Sequence, residues 1–237
     1  MKHIVSFSGG KDSTAMLLIM LEKGMRVDEI IFLDTGKEFP AMYKHIDDVE
    51  KYIGRQVIRL KNPRGFDYWM FDHKKTKGKN IGKKGYGWPD MGRRWCTGVL
   101  KRDIFLQYLK KHHKDVTEYH GIAFDEPERM GKNNSRNIRF PLFNWVMTEK
   151  DCLEYCYDRG FRWDGLYENF TRVSCWCCPI MTIPHIKSLW KYHPELWAKL
   201  KDMDKRAYNS FRRDYTLEQL ESRFQAEDNQ MNIYDYI

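Results

Sequence analysis

Nine consecutive residues, Ser6-Phe7-Ser8-Gly9-Gly10-Lys11-Asp12-Ser13-Thr14, concentrate groups suited to holding an anion. The paired glycines let the backbone turn tightly and approach a ligand. Ser8 and Ser13 bring hydroxyl donors, and Lys11 brings a mobile positive charge. Such a turn opening a helix also aims free N–H groups and the positive end of the helix dipole at one spot. Asp12 is the odd member: an acid beside a phosphate cradle invites Mg²⁺. An ordinary tight turn capped by Asp12 or Ser13 would need neither the lysine nor both serines. The second dense stretch is Cys175-Trp176-Cys177-Cys178, in which Cys175 and Cys178 form a C-x-x-C pair able to grip one metal.

The elements that would position these groups follow from periodicity. His3 to Val5 reads as a buried strand, and the apolar run Ala15 to Leu21 as a helix ending near Gly24. Glu29 to Leu33 is a second strand, so the first three elements make a β-α-β unit with parallel strands. Ligands in open α/β sheets sit beyond the carboxyl ends of the strands, which places Asp34 and Thr35 beside the glycine turn. Helical spacing of Tyr43, Ile46, Val49 and Ile53 predicts a helix from Pro40 to Tyr52, and Gln56 to Leu60 supplies a third strand. A helix over Gly98 to His112 and a strand over Thr117 to Phe124 carry Asp125, Glu126 and Arg129 to the same rim. Thr148 is an N-cap for a helix through Asp158, on which Cys152 and Cys156 read as core rather than ligands. The fold class is therefore α/β: a doubly wound, mostly parallel sheet with helices on both faces, followed by a helical C-terminal region. The expected division is a nucleotide-binding domain over 1–160 and a cysteine-rich helical region over 161–237.

Residues 61–95 interrupt this pattern. Phe66 to Phe71 suits a short amphipathic helix, after which lysine alternates with glycine through Lys84-Gly85-Tyr86-Gly87-Trp88. Such a composition cannot bury itself, and long loops of this kind serve as lids or binding elements. Basic charge interleaved with Tyr86 and Trp88 suits single-stranded nucleic acid across residues 72–102, and equally a lid over a triphosphate. Asn133 to Arg139 reads as a polar, mobile stretch.

The chain has 237 residues with 42% apolar and 15% aromatic residues, enough for a real core and against disorder, and its formal net charge of +8 implies an anionic partner. No apolar run approaches the roughly 20 residues of a membrane span. Met1-Lys2-His3 runs into a strand without a signal-peptide pattern, so the expected compartment is the cytoplasm. Six unevenly spaced cysteines point to metal rather than disulfides.

Ser8-Gly9-Gly10-Lys11-Asp12-Ser13 resembles the PP-loop of the adenine-nucleotide alpha-hydrolase superfamily, which includes ATP pyrophosphatases, sulfurtransferases and phosphoadenosine phosphosulfate reductases. It differs from the Walker pattern, which separates its glycines by four residues. Further segments are similar to the reductase branch: Cys96-Thr97-x-x-Leu100-Lys101, Gly121-x-x-x-Asp125-Glu126-x-x-Arg129, Pro141-Leu142-x-x-Trp145, and Arg172-Val173-Ser174-Cys175, where Ser174 stands in place of a glycine. The resemblance implies that Ser6, Ser8, Gly9, Gly10, Lys11, Asp12, Ser13, Asp34 and Thr35 bind ATP or a related adenine nucleotide with Mg²⁺. It also implies that Lys11, Asp12, Lys101 and Arg129 act in catalysis. Some relatives hold a four-iron cluster with two adjacent cysteines before the helix lysine; here Trp95-Cys96 supplies one. The metal ligands implied are thus Cys96, Cys175 and Cys178 with Cys177 as the fourth. A three-cysteine cluster, or zinc completed by His185 or His193, is the alternative.

A phosphosulfate reductase needs a nucleophilic thiol on a mobile tail, and Met231 to Ile237 contains no cysteine. The expected activity is therefore attack at the α phosphate of ATP, as pyrophosphatase or adenylating enzyme, coupled to sulfur transfer to a nucleic acid or small acceptor. A sulfur donor protein and a homo-oligomer are expected partners. Two alternatives stand beside this: a reductase using Cys96 or Cys177, and a non-catalytic nucleic-acid-binding module.

Overall fold

Ile4, Val5, Ile30, Ile31 and Phe32 are all essentially removed from solvent, as strands of a sheet covered on both faces require. The structure is a computed structural model that describes residues 1–76, 81–130 and 137–234, with side chains described through 229. Its sheet contains β1 (Lys2–Ser6), β2 (Glu29–Asp34), β3 (Ile58–Lys61), β4 (Val116–His120) and β5 (Ile138–Arg139), in the order β3-β2-β1-β4-β5. Every pairing among them is parallel, and Val5 of β1 lies opposite Ile30 on one side and Tyr119 on the other. The doubly wound α/β class expected from the sequence is the class observed.

Helix α1 (Lys11–Glu22) links β1 to β2, and α2 (Pro40–Ile53) links β2 to β3. A π-helical turn over Thr97–Arg102 opens the expected 98–112 helix and continues as α3 (Asp103–His112). Right-handed crossovers put α1 and α2 on one face and α3 on the other, because the strand order reverses at β1. On the α3 face, Phe105 packs with Ile4 and Ile31 against Leu33, Ile58, Leu60, Leu109 and Val116. Helix α4 (Glu149–Asp158) packs against α1, with Thr148 accepting from the Asp151 amide in a capping box. Cys152 and Cys156 are fully buried in this contact, as core residues. Of the stretch read as mobile, residues 133–136 lie outside the described residues, while Ile138–Arg139 forms an edge strand beside Glu118 and Tyr119.

The chain separates into two compact units. The first comprises Met1–Pro63 and Thr97–Val173, and the second Arg64–Cys96 and Ser174–Ile237. The 64–96 stretch therefore folds with the C-terminal segment, a division that differs from the 1–160 and 161–237 split.

The second unit holds α5 (Ile183–Tyr192), α6 (Pro194–Arg206) and α7 (Leu217–Tyr234). Leu189, Leu196, Trp197, Leu200, Leu217, Leu220 and Phe224 form its buried stripes, as their spacing predicts. A short helix, Gly65–Asp67, runs into a π-helical turn over Tyr68–Asp72. Beyond that turn the chain forms a hairpin rather than a free loop. Lys74 lies opposite Lys84, the Lys75 amide donates to the Lys83 carbonyl (3.0 Å), and the Gly82 amide donates to the Lys75 carbonyl (2.9 Å). Lys77 and Lys79 fall outside the described residues. Trp88, expected at the surface, is 1% exposed: its indole donates to Asp204 Oδ1 (2.7 Å), and its backbone is bracketed by the Asn209 amide group. Gly87 has φ +65°, and a Cβ there would collide with the Asn209 side chain, so the hairpin base tolerates no larger residue.

Candidate active site at the carboxyl ends of the strands

The strand order reverses at β1, so the connections leaving β1 and β4 diverge and open a crevice above the carboxyl ends. The glycine turn fills its floor. Gly9 has φ +77°, and a Cβ would press Ile46 and Met42 at 3.2 Å. Gly10 is the N-cap of α1 and receives no side-chain cap. The Ser8 and Ser13 hydroxyls lie 3.0 Å apart, Ser13 Oγ donates to the Gly10 carbonyl (3.0 Å), and the Ser8 amide donates to Ser13 Oγ (3.2 Å). From behind, the Trp163 indole donates to the Gly9 carbonyl (2.8 Å), and the Lys11 amide donates to Tyr167 Oη (2.8 Å). Trp163 stacks on His45 with centroids 4.2 Å apart, and burial holds the His45 ring neutral, its pKa lowered to about 3.

Gly121 completes the turn from the other side. A Cβ at this position would lie 2.8 Å from Ser13 Cα and 2.9 Å from the Ser13 nitrogen. The end of β4 can approach the first turn of α1 this closely only because position 121 carries no side chain.

Lys11 is 4% exposed despite its charge. Its ammonium donates to Glu149 Oε1 (2.8 Å) and stands 3.5 Å from Asp12 Oδ1. Asp12, Glu126 and Glu149 each bring a carboxylate oxygen to within 4.8 Å of the others, the single such group of three ligand-type side chains among the described residues. Burial, and then Glu149 and Glu126, push the Asp12 carboxyl up to about 6 against the opposing pull of Lys11. Asp12 Oδ1 is buried and has no hydrogen-bond partner. A buried carboxylate oxygen without a hydrogen bond, beside two further acids, is a donor set that fits a hard divalent cation such as Mg²⁺. Glu149 belongs to the first turn of α4, where the sequence shows only a capping pattern, so its place in the site was not legible.

The other expected residues occupy the rim. Asp34 ends β2 and accepts from the Gly36 amide (2.6 Å) and from Tyr43 Oη (2.7 Å). Thr35 Oγ1 donates to Glu38 Oε1 (3.1 Å), and Lys101 stands 3.7 Å from the same oxygen, so Lys101 joins the Asp34–Thr35 side of the crevice. Arg129 lies in a 3-10 turn, Pro127–Met130, and pairs with Glu126. Ser6 closes β1 directly below the turn. The structure thus joins Lys11 and Asp12 in one cluster and gathers Thr35 and Lys101 in a second.

Residues 2–181 match the family described as the phosphoadenosine phosphosulfate reductase domain. The chain belongs to that family. Its fold agrees: the crystal structure of phosphoadenylyl-sulfate (PAPS) reductase from Candida auris, a phosphate complex, superposes with TM-score 0.51 at 17% identity. That alignment covers 74% of this chain and 82% of that one. An uncharacterised protein of Methanocaldococcus jannaschii is 27% identical over 218 residues, 84% of this chain and 41% of the relative. A nin-region protein of Escherichia phage lambda is 31% identical over 55% of this chain and 51% of its own length. Sulfate adenylyltransferase subunit 2 of Shewanella pealeana is 25% identical over 69% of this chain and 59% of its own. The chain spans about half the length of the first of these curated relatives.

In this family member the four expected metal-binding cysteines, Cys96, Cys175, Cys177 and Cys178, all lie in the second unit. The Cys178 amide donates to the Cys175 carbonyl (3.1 Å), the turn a C-x-x-C pair needs, and none of the cysteines forms a disulfide. Among the described residues no three cysteine sulfurs or histidine nitrogens lie within 4.8 Å of one another. A single zinc ion, which gathers its ligands at roughly 2.0–2.3 Å, has no preformed cage here. No helix among the described residues is long and apolar enough to cross a membrane.

Proposed function

We propose that the chain binds ATP or a related adenine nucleotide with Mg²⁺ in the crevice and activates it at the α phosphate. The carrying observation is the trio Asp12, Glu126 and Glu149, of which Asp12 and Glu149 pair with the Lys11 ammonium while Asp12 Oδ1 is buried without a hydrogen bond. A site for a bare anion would be repelled by three acids; one for a metal-bound triphosphate is served by them. In this reading Ser6, Ser8, Gly9, Gly10 and Ser13 cradle the distal phosphates, and Asp34 and Thr35 border the adenosine. Mg²⁺ held by the three acids would neutralise the leaving pyrophosphate. Lys11 moves from Glu149 to a phosphate oxygen, and Arg129 and Lys101 meet the remaining charge. An acceptor oxygen attacks the α phosphorus, its bond to the bridging oxygen breaks, and pyrophosphate departs. Positioning and charge stabilisation carry the step without a protein nucleophile.

The cysteine turn supports a sulfur-transfer continuation, in which the outer sulfur of a donor protein's persulfide displaces AMP from the adenylated acceptor. A second donor thiol then cleaves the resulting S–S bond, leaving the thiolated acceptor and a donor disulfide. Cys96, Cys175, Cys177 and Cys178 would hold an iron–sulfur cluster as sulfur carrier. The family match favours a second reading, reductive release of sulfite from phosphoadenosine phosphosulfate by Cys96 or Cys177. Cys177 is 1% exposed, which leaves half-buried Cys96 as the accessible thiol.

Calorimetric titration with a non-hydrolysable ATP analogue, with and without Mg²⁺, tests the first reading. Binding should require Mg²⁺ and disappear in Lys11→Ala and Asp12→Ala. Mg²⁺-independent binding, or sulfite release from phosphoadenosine phosphosulfate with thioredoxin, would transfer support to the reductase.

A further inference from the structure

We propose that the second unit carries a platform for single-stranded nucleic acid, built from the ring faces of Trp69, His73 and Tyr86 and flanked by the hairpin lysines. The Trp69 and Tyr86 rings are parallel to within 6° with centroids 5.9 Å apart. The His73 ring lies 4.3 Å from Trp69 and 4.9 Å from Tyr86. All three residues are only partly buried, in contrast to Trp88 and Trp95. The platform is braced from beneath. Trp95 backs Tyr86 at 5.7 Å, Phe66 backs Trp95 at 5.0 Å, and the Trp95 indole donates to the Gly87 carbonyl (3.0 Å). A main-chain bond from the Tyr86 amide to the Trp69 carbonyl (2.9 Å) and a side-chain bond from Tyr208 Oη to the Tyr86 carbonyl (2.6 Å) fix its height. Burial, with Arg64 and Lys75 nearby, lowers the His73 pKa and keeps that ring uncharged at neutral pH.

Asp67 and Asp72 flank Trp69 on its turn, but the hairpin that follows is basic throughout. From His73 to Pro89 the chain has no acid, and Lys74 and Lys84 face each other across the hairpin. Like charges placed directly opposite cost stability, a cost that a polyanion lying along the hairpin removes. Lysines alone would suit any polyanion. Lysines beside partly buried aromatic rings suit unpaired bases, whose faces a duplex conceals and an acidic peptide lacks. A single-stranded nucleic acid would then be the acceptor class for the adenylation described under the proposed function, and only that acceptor role rests on the reading of the crevice.

The test uses the full chain and fluorescence anisotropy with labelled 15-nucleotide oligo-dU and oligo-dT. Unlabelled duplex and heparin serve as competitors, and binding of the ATP analogue to the same sample reads the nucleotide site separately. The single strands should bind and quench tryptophan fluorescence. Trp69→Leu should weaken binding by about tenfold, the loss of one stacked base. Lys83→Glu with Lys84→Glu should lower the salt-dependence slope by about 1.4, the value for two phosphate contacts on a single strand. His73→Ala, at a partly exposed ring, gives a second readout if Trp69→Leu does not fold. Equal displacement by duplex or heparin, or wild-type affinity in a folded ring variant, overturns the proposal.

Discussion

Asp12→Asn should make the ligand-free protein more stable at neutral pH while abolishing its response to Mg²⁺ and nucleotide. The Asp12 carboxyl titrates near 6 in the fold against 3.8 in the unfolded chain. Below pH 4 both states are protonated and the group costs nothing. Between pH 4 and 6 the native state keeps a proton that the unfolded state has released, so stability falls as pH rises. Above pH 6 the full cost is in place, about 3 kcal/mol for a shift of roughly two units. That cost is already net of the attraction of Lys11, so asparagine, which is neutral like the protonated acid, should recover about 3 kcal/mol. For a chain of this size, about 3 kcal/mol corresponds to about 6–12 °C in melting temperature. His45 contributes the opposite slope, because its depressed pKa favours the unfolded state as pH falls below 6.5. It is common to both proteins and cancels in the difference. Melts at pH 4 and 7.5 should show the gain only at 7.5. Added Mg²⁺ and ATP analogue should raise the wild type alone. A difference independent of pH, or a variant less stable at 7.5, would show that Asp12 is not held against its ionised form by burial among acids.

Gly121→Ala places a methyl group 2.8 Å from Ser13 Cα, backbone against backbone. The strand end must back away, at about 1–3 kcal/mol, and calorimetry should find nucleotide affinity reduced by about tenfold or more. Asp204→Ala removes the acceptor of both the Trp88 indole and the Phe211 amide, each at 2.7 Å. Two buried donors left unmet cost about 1–3 kcal/mol each, which urea unfolding followed by tryptophan fluorescence should report. Cys175→Ser should eliminate the visible absorption that anaerobic iron and sulfide reconstitution gives the wild type. A colourless wild type would remove the cluster from the reading.

The sheet and the glycine turn were legible because their signals are local. A strand, a Gly-Gly turn and an apolar helix succeed one another within the first 22 residues. Cys152 and Cys156 were legible as core for the same reason, through helical spacing. What escaped was set by partners distant in the chain. Gly121 and Glu149 look like an ordinary strand end and an ordinary first helical turn, and only the fold brings them to Ser13 and Lys11. Trp88 sits in a lysine- and glycine-rich stretch whose composition reads as solvated. Its environment comes from Asp204 and Asn209, more than 100 positions away. Local composition carries no trace of such support.

The second unit is assembled from two separate lengths of chain, Arg64–Cys96 and Ser174–Ile237. Neither length can be exchanged alone with a homologue's: a transplanted hairpin would leave its buttresses behind, and the recipient's 204–209 corner would face a stranger. Chimeras and coevolving substitutions should therefore treat the pair as one inheritable block.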